Sequence, residues 1–352
     1  MVQGIETIFL RGLAQPTFLS YHVPMNIIHV HLLNPPAPQA LEILRNQLSS
    51  LIQLSTGPDL PDPASYEILV AGRPGREALL ASRNLHTLVI PFAGLPAVTH
   101  DLLRDFPHIA VHNLHHNAAL TAEMAIALLL AATKFILPFD RALRQNDWRL
   151  RYTTSPALSL HGKTALVLGF GQVGQRIGRA CHALGMRILA TRRDISRSSE
   201  VDYPVEIYPP EALADLLPQA AALLISLPDT PQTEGLIGET ELRQLPQGAV
   251  LVNVGRGSII NQAALYQVLH DGHLRAAGLD VWYHYPQSES EWSSTPPADL
   301  PFHELDNVVL SPHRAGQSSE TERLRMIALA ELLNHAAQGQ PLPNKVNLDR
   351  GY

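Results

Sequence analysis

Two residues in this 352-residue chain are of the types that acid–base work on a carboxylate-bearing substrate requires. Arg256 lies in Leu251-Val-Asn-Val-Gly-Arg-Gly-Ser258, with a glycine on either side clearing space around a guanidinium fork that matches a carboxylate. His313 lies in Leu310-Ser-Pro-His-Arg-Ala-Gly316, where a proline fixes the approach to an imidazole. A third cluster, Gly278-Leu-Asp-Val-Trp282, ends an apolar run in the carboxylate of Asp280. Taken singly, each reads equally well as a capping or internally satisfied polar group. Taken together, an arginine and a histidine supply what hydride reduction of a 2-oxo acid needs. The arginine holds the carboxylate and polarises the carbonyl, and the histidine gives a proton to the oxygen.

A hydride donor requires a dinucleotide site, and Thr164-Ala-Leu-Val-Leu-Gly-Phe-Gly-Gln-Val-Gly174 reads as one. An apolar run, Ala165 to Leu168, predicts a strand buried on both faces. It breaks into Gly169-x-Gly171-x-x-Gly174 and resumes at helical spacing through Ile177, Cys181 and Leu184, with Gly185 as the stop. Glycines alone also mark ordinary turns. In a strand–turn–helix setting, Gly169 makes the tight turn, Gly171 admits a pyrophosphate, Gly174 lets helix and strand pack closely, and the helix N-terminus faces the phosphates. The second strand, Met186 to Ala190, is normally followed by an acidic residue that binds the adenosine ribose. Here Arg192 stands 18 residues beyond Gly174 and is followed by Arg193. An arginine cannot accept the ribose hydroxyls but pairs with a 2′-phosphate, which favours NADP(H), with NAD(H) as the alternative cofactor.

These clusters need a scaffold, and the chain alternates strands and helices. Strands are predicted at Asn26–Leu32, Tyr66–Ala71, Thr87–Pro91 and Ile109–His112, with helices at Pro38–Leu51 and Arg76–Ser82. Thr121 to Leu143 predicts one long apolar helix at a domain or subunit interface. Asp147 to Leu160 reads as a loop. Further strands are expected at Glu206–Tyr208, Ala222–Ser226, Ala249–Asn253, Ala276–Asp280 and Asn307–Leu310. A surface excursion follows at Trp282–Phe302, and a helix at Glu320–Gln338. The fold class is α/β: two Rossmann-like, doubly wound parallel sheets with a cleft between them.

Composition narrows the function classes. The net charge of −6 shows no basic excess of the kind a nucleic-acid surface carries. No apolar run approaches a membrane span. Residues 1–24 lack a basic n-region and a clean apolar h-region, so no signal peptide is predicted, and the segment reads either as an extension ahead of the first strand or as the product of a start codon chosen too far upstream. The single cysteine, Cys181, fits a buried apolar role and a reducing, cytoplasmic setting. His112, His115 and His116 lack neighbouring cysteine or carboxylate ligands, so no metal is predicted.

Through the glycine turn, Val252-Asn-Val-Gly-Arg-Gly257, Leu279-Asp-Val281 and Ser311-Pro-His313, the chain resembles the D-isomer-specific 2-hydroxyacid dehydrogenase family over about 27–342. The resemblance implies that Arg256 binds substrate and that His313 is the acid/base. It implies that backbone N–H groups around Gly94 and Leu95 clasp the substrate carboxylate, and that the chain is a homodimer acting on a small 2-oxo or 2-hydroxy acid. It implies a flavodoxin-like substrate domain from 1–118 plus 317–352 and an NAD(P)-binding domain from 119–316. Cofactor contacts are then expected at Gly169, Gly171, Gln172, Val173, Gly174, Arg192, Arg193, Leu227, Pro228, Thr233, Val254, Gly255, Asp280 and Gly316.

Two departures from the family pattern stand out. The glutamate that orients the histidine, just before a proline, is replaced by Tyr285 ahead of Pro286. A tyrosine can hydrogen-bond an imidazole but brings no charge, so His313 is expected to hold its proton less firmly. The loop Asn113-Leu-His115-His116-Asn117 replaces a Thr-Pro-Gly-containing loop, so His115 and His116 are expected to shape the substrate mouth. The missing charge also motivates an alternative reading, a dinucleotide-binding sensor or interaction protein of the same fold that turns over weakly.

Overall fold

The computed structural model describes residues 27–196, 201–349 and 351. The leading segment discussed above, and Asn26 of the first predicted strand, lie outside the described residues. Short apolar runs form strands in two wholly parallel sheets. The first comprises β1 (Ile28–Leu32), β2 (Ile52–Thr56), β3 (Ile68–Val70), β4 (Thr87–Ile90) and β5 (Ala110–Asn113), in the order β2-β1-β3-β4-β5. That is the flavodoxin-like order. Its helices are α1 (Pro38–Gln47), α2 (Arg76–Leu80) and α3 (Ala97–Leu103).

The chain then crosses to the second sheet through α4 (Ala118–Lys134) and α5 (Ile136–Leu143). That sheet holds β6 (Thr164–Leu168), β7 (Arg187–Thr191), β8 (Glu206–Tyr208), β9 (Ala222–Ile225), β10 (Ala249–Asn253), β11 (Leu274–Leu279) and β12 (Val308–Leu310). Its order is β12-β11-β10-β9-β6-β7-β8, so the chain reverses direction across the sheet between β6 and β9. Helices α6 (Gln172–Ala183), α7 (Leu213–Leu216), α8 (Glu239–Gln244) and α9 (Gln262–His270) flank it. The last helix, α10 (Thr321–Ala337), returns to the first sheet and packs on α1. Met326, Leu329, Ala330 and Leu333 of α10 share a core with Val30, Leu44 and Val70.

The predicted helix over 121–143 is two helices, bent by 65°. The break falls at Phe135, whose φ of +53° ends α4 in a left-handed cap. Pro138, in the first turn of α5, has no N–H to offer the Lys134 carbonyl, so the helix ends ahead of it, and Phe135 adopts the strained conformation at the break. Helix α4 is buried because it packs against β10, β11 and α6. A Cβ placed on Gly278 of β11 would lie 2.7 Å from the Leu128 Cβ. Among the described residues no single helix is long and apolar enough to cross a membrane. The helix expected over 38–51 stops at Gln47, and β2 follows from Ile52, a strand absent from the predicted set. Much of the excursion after Trp282 is exposed, but Ala298 and Phe302 anchor it in the core of the second sheet.

Candidate active site

The crevice between β6 and β9 is where a parallel sheet that reverses its strand order binds ligands. The three glycines do distinct work there. Gly169 has a φ of +91°, the conformation a tight turn needs. A Cβ on Gly174 would lie 2.0 Å from the Gly169 carbonyl oxygen, so only glycine lets α6 close on the turn. A Cβ on Gly171 would meet nothing within 4 Å, so the turn's outer side is open. The hydroxyl of Ser226, just past β9, donates to the Gly169 carbonyl at 2.9 Å and locks the turn. Helix α6 starts at Gln172 and Val173 with no side-chain cap, leaving first-turn N–H groups for an anion.

The other candidate cofactor positions gather on neighbouring strand ends. Arg192 and Arg193 follow β7, whose Thr191 carbonyl accepts from Gly169 N at 3.3 Å and Phe170 N at 3.0 Å. The Leu227 methyl lies 3.0 Å from a Cβ built on Gly169. The Pro228 carbonyl accepts the Thr233 hydroxyl at 2.7 Å. Val254 N donates to Ile225 O at 3.0 Å, and a Cβ on Gly255 would meet the Leu227 carbonyl at 2.7 Å.

Arg256 follows β10 in a turn built by Asn253. The Asn253 amide donates to the Arg256 carbonyl at 2.9 Å while its Oδ1 accepts from Gly255 N at 3.0 Å. The guanidinium donates to the Gly255 carbonyl at 2.7 Å and reaches the opposite sheet, where its Nη2 would lie 3.2 Å from a Cβ on Gly94. Gly257 packs so tightly on the end of β11 that a Cβ there would be 2.2 Å from the Trp282 carbonyl. The loops after β10 and β11 are therefore in close backbone contact.

His313 sits on the loop after β12 with a φ of +55°, strained for a non-glycine residue. Asp280, 0 % exposed, holds that loop. Its carboxylate accepts from the Ser311 hydroxyl, from Arg314 N at 2.9 Å and from Ala315 N at 3.0 Å. Its carbonyl accepts from His313 N at 2.7 Å. The Trp282 indole donates to the Ser311 carbonyl at 2.8 Å, tying the two loops again. His313 as a residue stays solvent-accessible, yet the protein crowding its ring lowers its pKa from the ordinary 6.5. Desolvation is the main cause, the charge of Arg256 adds to it, and the carboxylate of Asp280 opposes it.

The loop 113–117 joins β5 of the first sheet to α4. His115 is influenced by Arg176 of α6, and both burial and that charge lower its pKa. His116 is held down to about 4 by burial, then by Arg325 of α10 and by His115. Both of its ring nitrogens are buried without a hydrogen-bond partner. His112 is apart from this pair, with Nδ1 2.8 Å from the Pro343 carbonyl. Gly316 abuts the same loop, since a Cβ there would be 2.4 Å from the Asn117 amide nitrogen.

Residues 126–315, over half of the chain, match the family model described as D-isomer specific 2-hydroxyacid dehydrogenase, NAD binding domain. This chain belongs to that family. A glyoxylate reductase from Aeropyrum pernix is 39 % identical over 233 residues, which is 64 % of this chain and 66 % of that protein. A D-3-phosphoglycerate dehydrogenase from Archaeoglobus fulgidus is 32 % identical over 272 residues, 77 % of this chain and 49 % of that protein. The chain thus spans about half the length of that dehydrogenase. The fold matches that of an NADPH-dependent glyoxylate/hydroxypyruvate reductase from Sinorhizobium meliloti solved with NADP and sulfate. The TM-score is 0.73 at 21 % identity, over 92 % of this chain and 100 % of that one. A nicotinamide dinucleotide is the cofactor of this 2-hydroxyacid dehydrogenase domain, and the open glycine turn and uncapped α6 fit its pyrophosphate.

Two readings of the family pattern change with the geometry. Tyr285 does not hydrogen-bond His313. Its hydroxyl accepts from Trp282 N at 3.1 Å, and its ring packs on the imidazole with centroids 5.5 Å apart. The Asp280 carboxylate, expected among the cofactor contacts, accepts three bonds from the 311–315 loop and so holds the segment that carries His313. Asn253 and Ser311, which act on these loops, were absent from the predicted site set. Cys181 is fully buried with its thiol pushed up to about 12, which leaves it unreactive.

Proposed function

We propose that this chain is an NADP-preferring oxidoreductase that interconverts a small 2-oxo acid and the matching D-2-hydroxy acid. One observation carries the reading: Arg256, from the nucleotide-side sheet, reaches Gly94 at the end of the other sheet and lies close enough to lower the pKa of His313. The bound reduced dinucleotide would supply the hydride. Arg256 then holds the substrate carboxylate and draws electron density from the carbonyl, while N–H groups at Gly94 and Leu95 clasp the carboxylate from the opposite wall. His313 delivers the proton to the carbonyl oxygen, and its lowered pKa eases release. Asp280 fixes the imidazole's approach through the loop. His115 and His116, both held neutral, narrow the mouth and favour a short acid.

Arg192 and Arg193 beyond β7 support a preference for the 2′-phosphorylated cofactor. The substrate domain is read as 1–118 plus 317–352. Packing of α10 on α1 supports this, as does the pairing of the C-terminal tail with β5. A homodimer is read from the solvent-facing apolar run of Ile136, Leu137, Leu143, Trp148 (58 % exposed) and Tyr152 (81 % exposed). A turnover screen of 2-oxo acids with NADPH and NADH side by side tests the function, with NADPH-driven reduction of glyoxylate or hydroxypyruvate expected. The absence of a carboxylate at Tyr285 favours one second reading, a dinucleotide sensor. Tight NADPH binding with no turnover across the panel would establish it.

A further inference from the structure

The loop that faces Arg256 is held from behind. It follows β4 through Phe92, Ala93, Gly94 and Leu95. The adjacent strand β5 ends at Asn113, which is buried, and the Asn113 amide donates to the Ala93 carbonyl at 2.6 Å. Asn113 is in turn gripped by the C-terminal tail, which runs antiparallel along β5. Val346 N donates to Val111 O at 2.8 Å, Asn113 N donates to Asn344 O at 3.2 Å, and the Asn344 amide donates to Asn113 O at 3.2 Å. His112 and Lys345 form an antiparallel bridge between these bonds. Asn344 has a φ of +56°, a conformation asparagine tolerates better than most residues.

The Ala93 carbonyl and the Gly94 N–H belong to one planar, trans peptide unit, so they point in opposite directions. Whatever fixes the carbonyl therefore aims the N–H. From this geometry we propose that Asn113 is a positioning residue for the substrate carboxylate. It aims the Gly94 N–H into the cleft, and the tail segment 343–346 is the part of the chain that holds it in register. The proposal rests on reading the 94–95 loop as the carboxylate clasp. Asn253 does the matching work on the other wall, where its amide holds the Arg256 carbonyl. Each half of the clasp is thus set by an asparagine at the end of a parallel strand.

Three variants test this: Asn113→Ala, Asn113→Asp, which puts an acceptor against the Ala93 carbonyl, and Asn344→Gly, which removes one bond to Asn113 while keeping a residue at ease with positive φ. NADPH affinity, kcat and KM for glyoxylate, and the affinity of the NADPH complex for oxamate, an unreducible carboxylate analogue, are measured for each. The expected result for Asn113→Ala is KM and the oxamate Kd raised about 10-fold, with kcat within about twofold and NADPH affinity unchanged. Asn113→Asp is expected to be worse, and Asn344→Gly to shift KM in the same direction by a smaller factor. Unchanged KM and oxamate binding in Asn113→Ala overturn the proposal alone. So does a parallel loss of NADPH affinity, which marks general loosening. If Asn113→Ala does not fold, unchanged oxamate binding in Asn344→Gly overturns it. A parent that neither reduces a 2-oxo acid nor binds oxamate overturns the functional reading and the proposal with it.

Discussion

Arg256 and Gly94 meet across the cleft: the guanidinium Nη2 stands 3.2 Å from where a methyl on Gly94 would be. One residue comes from the nucleotide-side sheet and the other from the flavodoxin-like sheet, so the contact sets the width of the cleft where the proposed reaction seats the substrate carboxylate. Gly94→Ala is expected to leave the fold intact, because the group it crowds is the far end of a flexible side chain. The methyl displaces the guanidinium by a few tenths of an ångström from its aim. KM for the 2-oxo acid is expected to rise roughly 10-fold with a smaller change in kcat, since a small misplacement costs mainly oriented binding. Steady-state kinetics beside a thermal melt check this, and an unchanged KM would count against the carboxylate's lying at this spot.

The glycine turn gives a paired expectation. Gly171→Ala adds a methyl that meets no protein atom within 4 Å, so thermal stability should stay near that of the parent while NADPH affinity falls. Gly174→Ala drives a methyl to 2.0 Å from the Gly169 carbonyl, so both stability and affinity should fall, stability by about 1–3 kcal/mol as in other overpacked sites. Equal stability losses in the two variants would mean that the outer side of the turn is not open.

Much of this site was legible in the sequence, and the exceptions share a cause. Gly169 and Gly174 take the steric jobs their spacing implied, and the outer side of Gly171 is open. The middle of the second sheet was legible because β6, β9 and β10 are apolar runs buried on both faces. The break at Phe135 was signalled by Pro138 and passed over, and its place at a phenylalanine depends on that residue accepting positive φ at the end of a packed helix. Strand β2 was hidden behind helical spacing that ran to Leu51. Asn113 and Asn253 were illegible as positioning residues, because an asparagine at a strand end looks like any turn former until its amide is seen to hold a particular carbonyl. Tyr285 does stand beside His313, as spacing implied, but through its ring, while its hydroxyl accepts from Trp282 N.

In the proposed reaction the alkaline limb of the pH–rate profile follows from His313. Its pKa is lowered first by desolvation and then by Arg256, and reduction needs the protonated imidazole. The reductive rate should therefore fall as pH rises through a value below 6.5. Tyr285→Glu restores a carboxylate beside the ring, favours the protonated form, and should move that limb to higher pH. A pH–rate profile of kcat/KM for parent and variant decides it. A parent limb well above the free-histidine value would mean that another carboxylate serves His313.

Stability should also depend on acid. His116 is held to about 4, and His31, His112 and His115 are lowered chiefly by burial. The unfolded chain binds protons near 6.5, before these folded groups do. The unfolded state therefore gains protons first as pH falls. The histidine contribution leaves stability untouched above about 6.5 and erodes it from there toward the folded values, levelling off below them. Denaturant melts between these limits should show the slope, and His116→Asn should flatten it. A parent equally stable at both ends would contradict the neutral, buried state of His116.

Cofactor preference turns on the residues after β7. Arg192→Asp exchanges a phosphate partner for a ribose-hydroxyl acceptor, so NADPH affinity should fall roughly 10- to 100-fold, the worth of a charge-assisted contact, while NADH affinity holds or improves. Kd values for both cofactors test it, and equal losses for the two would place the 2′-phosphate elsewhere.

The most direct measurement is single-turnover oxidation of NADPH by glyoxylate in the parent, Arg256→Ala and His313→Ala, each shown beforehand to bind NADPH normally. If a guanidinium and an imidazole serve one substrate beside the nicotinamide, His313→Ala should slow the chemical step by about 10²–10⁴. Arg256→Ala should lose both acid binding and rate. Turnover by either variant at the parent's speed would contradict that shared site.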